Sequence, residues 1–128
     1  MSAGQLGAEK GELIFNWLRD CFKDPVKKER LTVRLARLVD PQPDGCILWK
    51  GALNNKGYGK INVQLSRGQP HQLYVHHLFF VLGHARPITK GMTIDHTCRR
   101  RCCVNPAHHE EVTVAVNNKR KWEAYYGS

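Results

Sequence analysis

The sequence contains no uninterrupted apolar run of the length that a membrane span needs, which is about 20 residues. Its N-terminus also lacks the basic stretch followed by an apolar core that marks a secretory signal. Acidic residues are scarce: 11 Asp and Glu stand against 20 Lys and Arg, which gives a formal net charge of +9. We therefore expect an intracellular protein with no membrane partner, whose positive charge favours a polyanion such as nucleic acid.

Cysteine is present in a small and odd number, which argues against a framework of disulfide bonds. Five cysteines occur in 128 residues, and an intracellular protein keeps such side chains as thiols or metal ligands. Three of them lie with three histidines and three consecutive arginines in the segment IDHTCRRRCCVNPAHHE, residues 94–110. Cys21 lies apart from this segment, and we expect a packed thiol there.

Internal repeats and low-complexity tracts are absent, and the hydrophobic periodicity changes near residue 46. Helical spacing precedes that point, and strand-like alternation follows it. The predicted elements are helices over 11–22 and 26–39, strands over 46–49, 61–66 and 72–75, a helix over 76–83, strands over 93–96 and 111–114, and a helix over 114–125. We expect an α+β protein with an N-terminal helical extension, residues 1–40, before a single compact domain, residues 41–128.

Part of the 94–110 segment has the spacing of a metal site. Cys98, Cys103 and His108 follow one another with four intervening residues each time, and they offer the thiolate and imidazole ligands that Zn²⁺ takes in a tetrahedron. Cys46, after an Asp-Gly turn, is the natural fourth ligand. Four protein ligands close the coordination sphere, so we expect a structural Zn²⁺ whose binding energy contributes to folding.

Two doublets keep this ligand set open, because adjacent residues rarely both face one metal. Cys102 stands beside Cys103, and His109 stands beside His108. The cysteine that is not used would be a small apolar filler, and the histidine that is not used would be a surface group. The alternative for the whole cluster is a set of free thiols.

A closed zinc site leaves Asp95 and His96 without a role. Asp95 offers a hard oxygen ligand that suits Mg²⁺ or Mn²⁺, and Asn117 offers a second oxygen. His96 has an imidazole whose ordinary pKa, about 6.5, suits proton removal from water near neutral pH. A strand, a metal-tied loop, a second strand and a helix would bring residue 117 beside residues 95 and 96. The sequence therefore predicts a one-metal phosphodiesterase site.

These residues resemble those of the HNH nucleases, which are also called ββα-metal or His-Me finger nucleases. The matching positions are Asp95-His96, Asn105-Pro106-x-His108 and Asn117, with CILWKGA at 46–52 and GYG at 57–59 ahead of them, as in phage and intron-encoded members. The run HTCRRRCCVNPAHH is also similar to the His-Cys box homing endonucleases. The resemblance implies a ββα-metal core with a structural zinc, preceded by an antiparallel strand pair.

The resemblance also implies an activity, namely a DNA endonuclease that nicks or cuts double-stranded DNA in the cytoplasm of a bacterium or a phage-infected cell. It implies His96 as the general base and Asp95 and Asn117 as ligands of a catalytic Mg²⁺ or Mn²⁺. It assigns the zinc to Cys46, Cys98, Cys103 and His108. An arginine assists at the scissile phosphate in His-Cys box enzymes, and Arg67 is our candidate for it, with a solvated turn residue as the alternative. A homodimer would account for cutting of both strands.

Basic residues outside this chemistry are candidates for contacts to the DNA backbone, which position a protein without reading sequence. They are Arg30, Arg34, Arg37, Arg99, Arg100, Arg101, Lys119, Arg120 and Lys121. The first three have helical spacing and form a stripe, for which a solvated helix face is the alternative. His76 and His77 are expected to be packed or hydrogen-bonded, although one could face the active site.

Two other functions share these features. A zinc-stabilised DNA-binding module without cleavage would need the Cys and His ligands and the positive charge. It would not need Asp95, His96 and Asn117 together. A junction-resolving nuclease on the same fold is the second alternative.

Overall fold

The computed structural model describes residues 6–66 and 69–126, so the candidate Arg67 lies outside the described residues. The chain has a mixed α+β architecture, as predicted. The elements are α1 (Leu6–Lys23), α2 (Pro25–Arg37), β1 (Val39–Pro41), β2 (Ile47–Trp49), β3 (Lys60–Ser66), β4 (Gln69–Tyr74), α3 (Val75–His84), β5 (Met92–His96), a 3-10 turn (Pro106–His108), β6 (His109–Thr113) and α4 (Val114–Tyr126).

The described strands form three antiparallel pairs, β1 with β2, β3 with β4 and β5 with β6. In the last pair, Asp95 lies opposite Glu110 and His96 lies opposite His109. Helix α4 follows β6 without a linker. Strand, strand and helix therefore follow one another in the order that the resemblance implies for the site.

Strand β1 was not predicted, because Val39 was assigned to the second helix. That helix ends at Arg37, and the amide of Lys50 donates to the carbonyl of Leu38 at 2.7 Å. The chain then continues extended, with Val39 opposite Trp49. A hydrogen-bonded partner strand, which local spacing does not reveal, takes these residues out of the helix.

The two N-terminal helices are joined by a short, well-capped turn. The side chain of Asp24 accepts hydrogen bonds from the amides of Val26 and Lys27, and Pro25 begins α2, where its missing amide hydrogen costs nothing. Helix α1 contacts α3, β3 and β5, and its Ile14 is completely buried. The segment predicted as an extension thus supplies part of the main core.

Trp49 is buried in this core. Its position explains why glycine occupies residues 51 and 59, in the motifs that precede the 94–110 segment. Its indole packs edge-on against Phe79 with the ring centres 6.3 Å apart. A β-carbon added at Gly59 would stand 2.7 Å from Trp49 Cδ1, and one at Gly51 would stand 2.7 Å from Trp49 Nε1. Both positions need glycine because the backbone runs directly over the indole.

Helix α3 is packed against the loop that carries the metal ligands. A β-carbon added at Gly83 would stand 2.5 Å from Cβ of Pro106, so the helix and the 3-10 turn touch through a glycine. None of the described helices combines the length and the apolar character that crossing a bilayer requires.

Candidate functional site

Four side chains converge on one point, one from the residue just before β2 and three from the loop between β5 and β6. The candidate ligand atoms of Cys46, Cys98, Cys103 and His108 all lie within 4.8 Å of one another. Nδ1 of His108 is 3.5 Å from Sγ of Cys46 and 3.6 Å from Sγ of Cys103. A tetrahedral Zn²⁺ with ordinary bond lengths separates a sulfur from a nitrogen ligand by about 3.6 Å. The cluster can therefore hold a metal ion such as zinc.

Local hydrogen bonds bring the distant Cys46 to the loop. Its amide donates to the side chain of Asp44 at 3.0 Å, in a turn where Gly45 has a φ of 93°. The side-chain amide of Asn105 donates to the carbonyl of Gly45 at 2.6 Å. The other end of the same side chain accepts from the amide of Ala107 at 3.0 Å, which starts the turn that carries His108 to the cluster. Asn105 therefore joins the two halves of the metal site.

Burial, reinforced by hydrogen bonds with Cys98 and Cys103, raises the pKa of the Cys46 thiol to about 12. Burial also raises the pKa of Cys98. The cluster by itself consequently favours neutral thiols. A bound cation supplies the positive charge that turns such sulfurs into thiolates, so metal binding here releases protons.

The structure separates the members of each doublet. Cys103 and His108 point into the cluster, whereas Cys102 is partly buried against the core, as expected for a filler. The prediction that His109 is a surface group is wrong, since its exposed fraction is 6% and its Nε2 donates to the carbonyl of Cys103 at 2.9 Å. His109 begins β6 opposite His96, and strand alternation turns it inward. Cys21 is buried, as predicted.

Asp95, His96 and Asn117 come together on a second site beside the metal cluster. They line a cavity of about 330 Å³. Its wall is formed by Tyr58, Ile94, Asp95, His96, Arg99, Arg101, Asn117 and Lys121. Asp95 and His96 are the last two residues of β5, and Asn117 lies in the first turn of α4.

The cavity wall contains a buried oxygen that has no partner. Oδ1 of Asn117 is inaccessible to solvent and has no hydrogen-bond partner among the described residues. Buried polar atoms in proteins are rarely left in this state, so this oxygen needs a partner such as a water molecule or an ion, as does Nε2 of His96, which is in the same state. The oxygens of Asp95 and Asn117 are of the hard kind that Mg²⁺ and Mn²⁺ take. The donor set thus suits a small divalent cation.

His96 lines this cavity and lies among other aromatic rings. Its ring centre is 4.7 Å from that of His76, 4.9 Å from that of His109 and 5.7 Å from that of Tyr58. Burial, reinforced by His109, lowers the pKa of His96 to about 4, although Asp95 works against the shift. The imidazole is therefore neutral at physiological pH. His76 is buried and packed, as expected, with its pKa lowered well below the ordinary value by burial.

The guanidinium of Arg120, whose side chain is 32% exposed, is paired with two carboxylates. It donates to Oδ2 of Asp95 at 3.1 Å and to both carboxylate oxygens of Glu110 at 2.9 and 3.2 Å. Hydrogen bonds from Arg120 lower the pKa of Glu110. Among the basic residues predicted to contact DNA, this one is held by two carboxylates.

Other predicted DNA-contact residues surround the cavity or lie close to it. Arg99, Arg101 and Lys121 line it, and Arg101 stands over the ring of Tyr58, with its Cζ 5.5 Å from the ring centre. Arg99 has a φ of 65°, an unusual backbone conformation for a residue with a side chain. Arg100 pairs with Asp44 at 3.0 Å on the other side of the loop.

The predicted arginine stripe lies on α2. Arg30, Arg34 and Arg37 line a separate groove of about 550 Å³ together with Val26 and Val33. Arg34 also donates to the carbonyl of Asn62 in β3 at 3.1 Å. Lys119, on α4, is exposed and stands 4.0 Å from Glu123.

Comparison with known proteins shows a similarity to a phage protein. The chain is 34% identical over 101 residues to Protein 2.8 of Escherichia phage T7, and the match covers 74% of this chain and 66% of that protein, just under two thirds of its length. No family model matches the sequence, and no solved structure matches it either. The name of the phage protein states no activity, but its source agrees with the expectation of a phage-infected cell.

Proposed function

We propose that the protein is a metal-dependent DNA endonuclease of the HNH type, with β5, β6 and α4 as its ββα-metal core. The observation that carries this proposal is the convergence of a buried, neutral His96 with the oxygens of Asp95 and Asn117 on one cavity. Structural stability alone does not require these three side chains to share a cavity with an unpartnered buried oxygen.

The chemistry is hydrolysis of a phosphodiester bond. His96 takes a proton from a water molecule, whose oxygen bonds to the scissile phosphorus while the bond from phosphorus to the 3′ oxygen breaks. The products expected from the resemblance are a 5′-phosphate and a 3′-hydroxyl. A Mg²⁺ or Mn²⁺ held by Asp95 and Asn117 would supply stabilisation of the negative charge that develops around the phosphate.

The surroundings of the cavity suit a phosphate backbone. Arg99, Arg101 and Lys121 provide positive charge at its wall, and the chain as a whole carries a formal charge of +9. Each phosphate of duplex DNA that such side chains neutralise contributes about −0.9 to the slope of the logarithm of affinity against the logarithm of salt concentration. A structural zinc in the Cys and His cluster would hold the loop that carries Arg99 and Arg101.

The test is a plasmid assay with zinc-loaded protein and added Mg²⁺ or Mn²⁺. His96→Ala should lower the cleavage rate about 10²- to 10⁴-fold, the usual contribution of a general base, while zinc content and duplex binding stay at the parent level. His84→Ala removes an exposed imidazole at the end of α3 and is the matched control. Parent-level cleavage by His96→Ala would refute the assignment.

A DNA-binding module without cleavage is the second candidate, because the ion pair with Arg120 already neutralises Asp95. That function predicts duplex binding with no nicked or linear plasmid in any divalent metal. If the protein cleaves DNA, the first plasmid product indicates its oligomeric state. Nicked circles indicate that one active site acts per event, and linear plasmid indicates a dimer.

A further inference from the structure

Two carboxylates face each other across the strands that build the cavity. Asp95 on β5 lies directly opposite Glu110 on β6. Like charges in such cross-strand positions repel and destabilise the pair. The side chain of Asp95 is only 10% exposed, whereas that of Glu110 is 49% exposed, so water screens this repulsion only from the side of Glu110.

Arg120 resolves this repulsion from the neighbouring helix. Nη1 of its guanidinium contacts both carboxylates, at 3.1 Å to Asp95 and 2.9 Å to Glu110. Nη2 gives a second bond to Glu110, so that contact is bidentate and directional. Asn117 lies three residues earlier on α4, on the same face of the helix. Helix α4 therefore carries both Arg120, which compensates the charge of Asp95, and Asn117, the other candidate oxygen ligand.

We propose that Arg120 is a positioning residue of the divalent-cation site and not a contact to DNA phosphate. It is the counter-ion that offsets the repulsion between Asp95 and Glu110, and it competes with the cation for the charge of Asp95. This inference rests on the proposed function, because it assumes that Asp95 is a cation ligand.

Competition of this kind gives opposite signs for two substitutions. Arg120→Met leaves two carboxylates without their counter-ion, and a divalent cation then binds more tightly, by roughly tenfold. Glu110→Gln leaves Arg120 with Asp95 as its single charged partner in this triad, so the arginine competes more strongly and the cation binds more weakly, by about threefold or more. General damage to the site would weaken binding in both variants.

The experiment titrates zinc-loaded full-length protein with Mn²⁺ and follows the free ion by electron paramagnetic resonance. Arg120→Lys retains the charge and should stay within about threefold of the parent affinity. If Arg120→Met does not fold, Arg120→Gln, which also removes the positive charge, takes its place with the same expected result. Circular dichroism and zinc content establish that each variant is folded.

Lys121→Met is the matched control for general electrostatics. Lys121 lines the same cavity, but among the described residues the ion pair of Asp95 is formed by Arg120 and not by Lys121. We expect its removal to change Mn²⁺ affinity less than threefold and to reduce the salt slope of binding to a duplex oligonucleotide by about 0.9. Arg120→Met should leave that slope at the parent value.

The outcomes separate the two proposals. If Arg120→Met leaves the Mn²⁺ affinity unchanged, the proposed role of Arg120 is wrong. The same holds if Lys121→Met raises the affinity as much as Arg120→Met does. Neither result contradicts the proposed nuclease activity. A salt slope lowered by Arg120→Met makes Arg120 a phosphate contact and also overturns the inference. Mn²⁺ binding that is insensitive to Asp95→Asn removes the cation site itself and with it the proposed function.

Discussion

Cys103 is completely buried, whereas Cys102 beside it is only partly buried and packs on the core. The amide of Trp49 donates to the carbonyl of Cys102 at 2.9 Å. An isolated bridge also pairs Leu48 with Cys103. Neighbouring side chains of an extended segment point to opposite sides, so this pairing sends one sulfur towards the cluster and the other away from it.

The doublet therefore provides a test at the scale of a single side chain. Cys103→Ser should lose stoichiometric zinc and destabilise the protein by several kcal/mol, because the metal loses one of four ligands and a hydroxyl enters a buried position. Cys102→Ser should retain one zinc per chain. Metal analysis of the two purified proteins, together with urea unfolding, checks the result, and zinc retention in Cys103→Ser would contradict the assignment.

Residue types and spacing were enough to predict which side chains come together, both in the cluster of Cys46, Cys98, Cys103 and His108 and at the cavity lined by Asp95, His96 and Asn117. Their roles in metal binding and catalysis stay predictions. Residue types and spacing were not enough to place His109 or Arg120. The environment of His109 is set by its register against His96, and that of Arg120 by a carboxylate on each of two strands. Such partners are distant in sequence, so only a three-dimensional arrangement reveals them.

Helix α1 is an integral element of the fold. It packs on α3, β3 and β5 and buries Ile14, Leu18 and Cys21. One face of the helix is thus continuous with the core that lies behind the cavity. The boundary predicted at residue 40 remains a prediction about domains, but the core of the described chain extends across it.

The contribution of α1 can be measured with two adjacent residues. Ile14→Ala should lower the free energy of unfolding by about 2–5 kcal/mol, because it removes a fully buried side chain and leaves a cavity. Leu13→Ala, at a position whose exposed fraction is 45%, should cost less than about 1 kcal/mol. Urea unfolding followed by circular dichroism gives both values. Equal and small losses would show that α1 does not stabilise the core.

Elements with strong periodicity were predicted well, because amphipathic spacing records which face of a helix or strand is buried. Helices α1 to α4 and strands β2 to β6 correspond to predicted segments, with ends that shift by a few residues. Strand β1 escaped prediction since it has only three residues, and its apolar Val39 also continues the helical pattern of α2. Pairing with β2 decides its conformation.

At the scale of the whole molecule, the described strands form three separate two-stranded sheets. Isolated pairs of strands are marginally stable in water, so these depend on the shared core and on the cluster of cysteines and histidine. That cluster joins the start of β2 to the loop between β5 and β6. A metal ion at this position would connect the first half of the fold to the second.

Removal of the metal should therefore destabilise the molecule as a whole. A strong zinc chelator should shift the midpoint of urea unfolding to a lower urea concentration. The corresponding loss in the free energy of unfolding should approach the order of 10 kcal/mol that a structural zinc can contribute. Restored Zn²⁺ should return the midpoint to its original value, and Mg²⁺ should not, because its preferred ligands are oxygens. A zinc-free protein with an unchanged midpoint would refute a structural role for the cluster.

The distance along the chain between the metal ligands also has a consequence for synthesis. Cys46 and His108 are 62 residues apart, and translation adds about 5–20 residues per second. For about 3–12 seconds a nascent chain therefore presents the Cys46 thiol before the last ligand has been made. Helices α1 and α2 are synthesised before that interval begins, and the β3–β4 hairpin is synthesised during it. We therefore expect the complete four-ligand site to bind its metal ion late in synthesis, after His108 has been added to the chain.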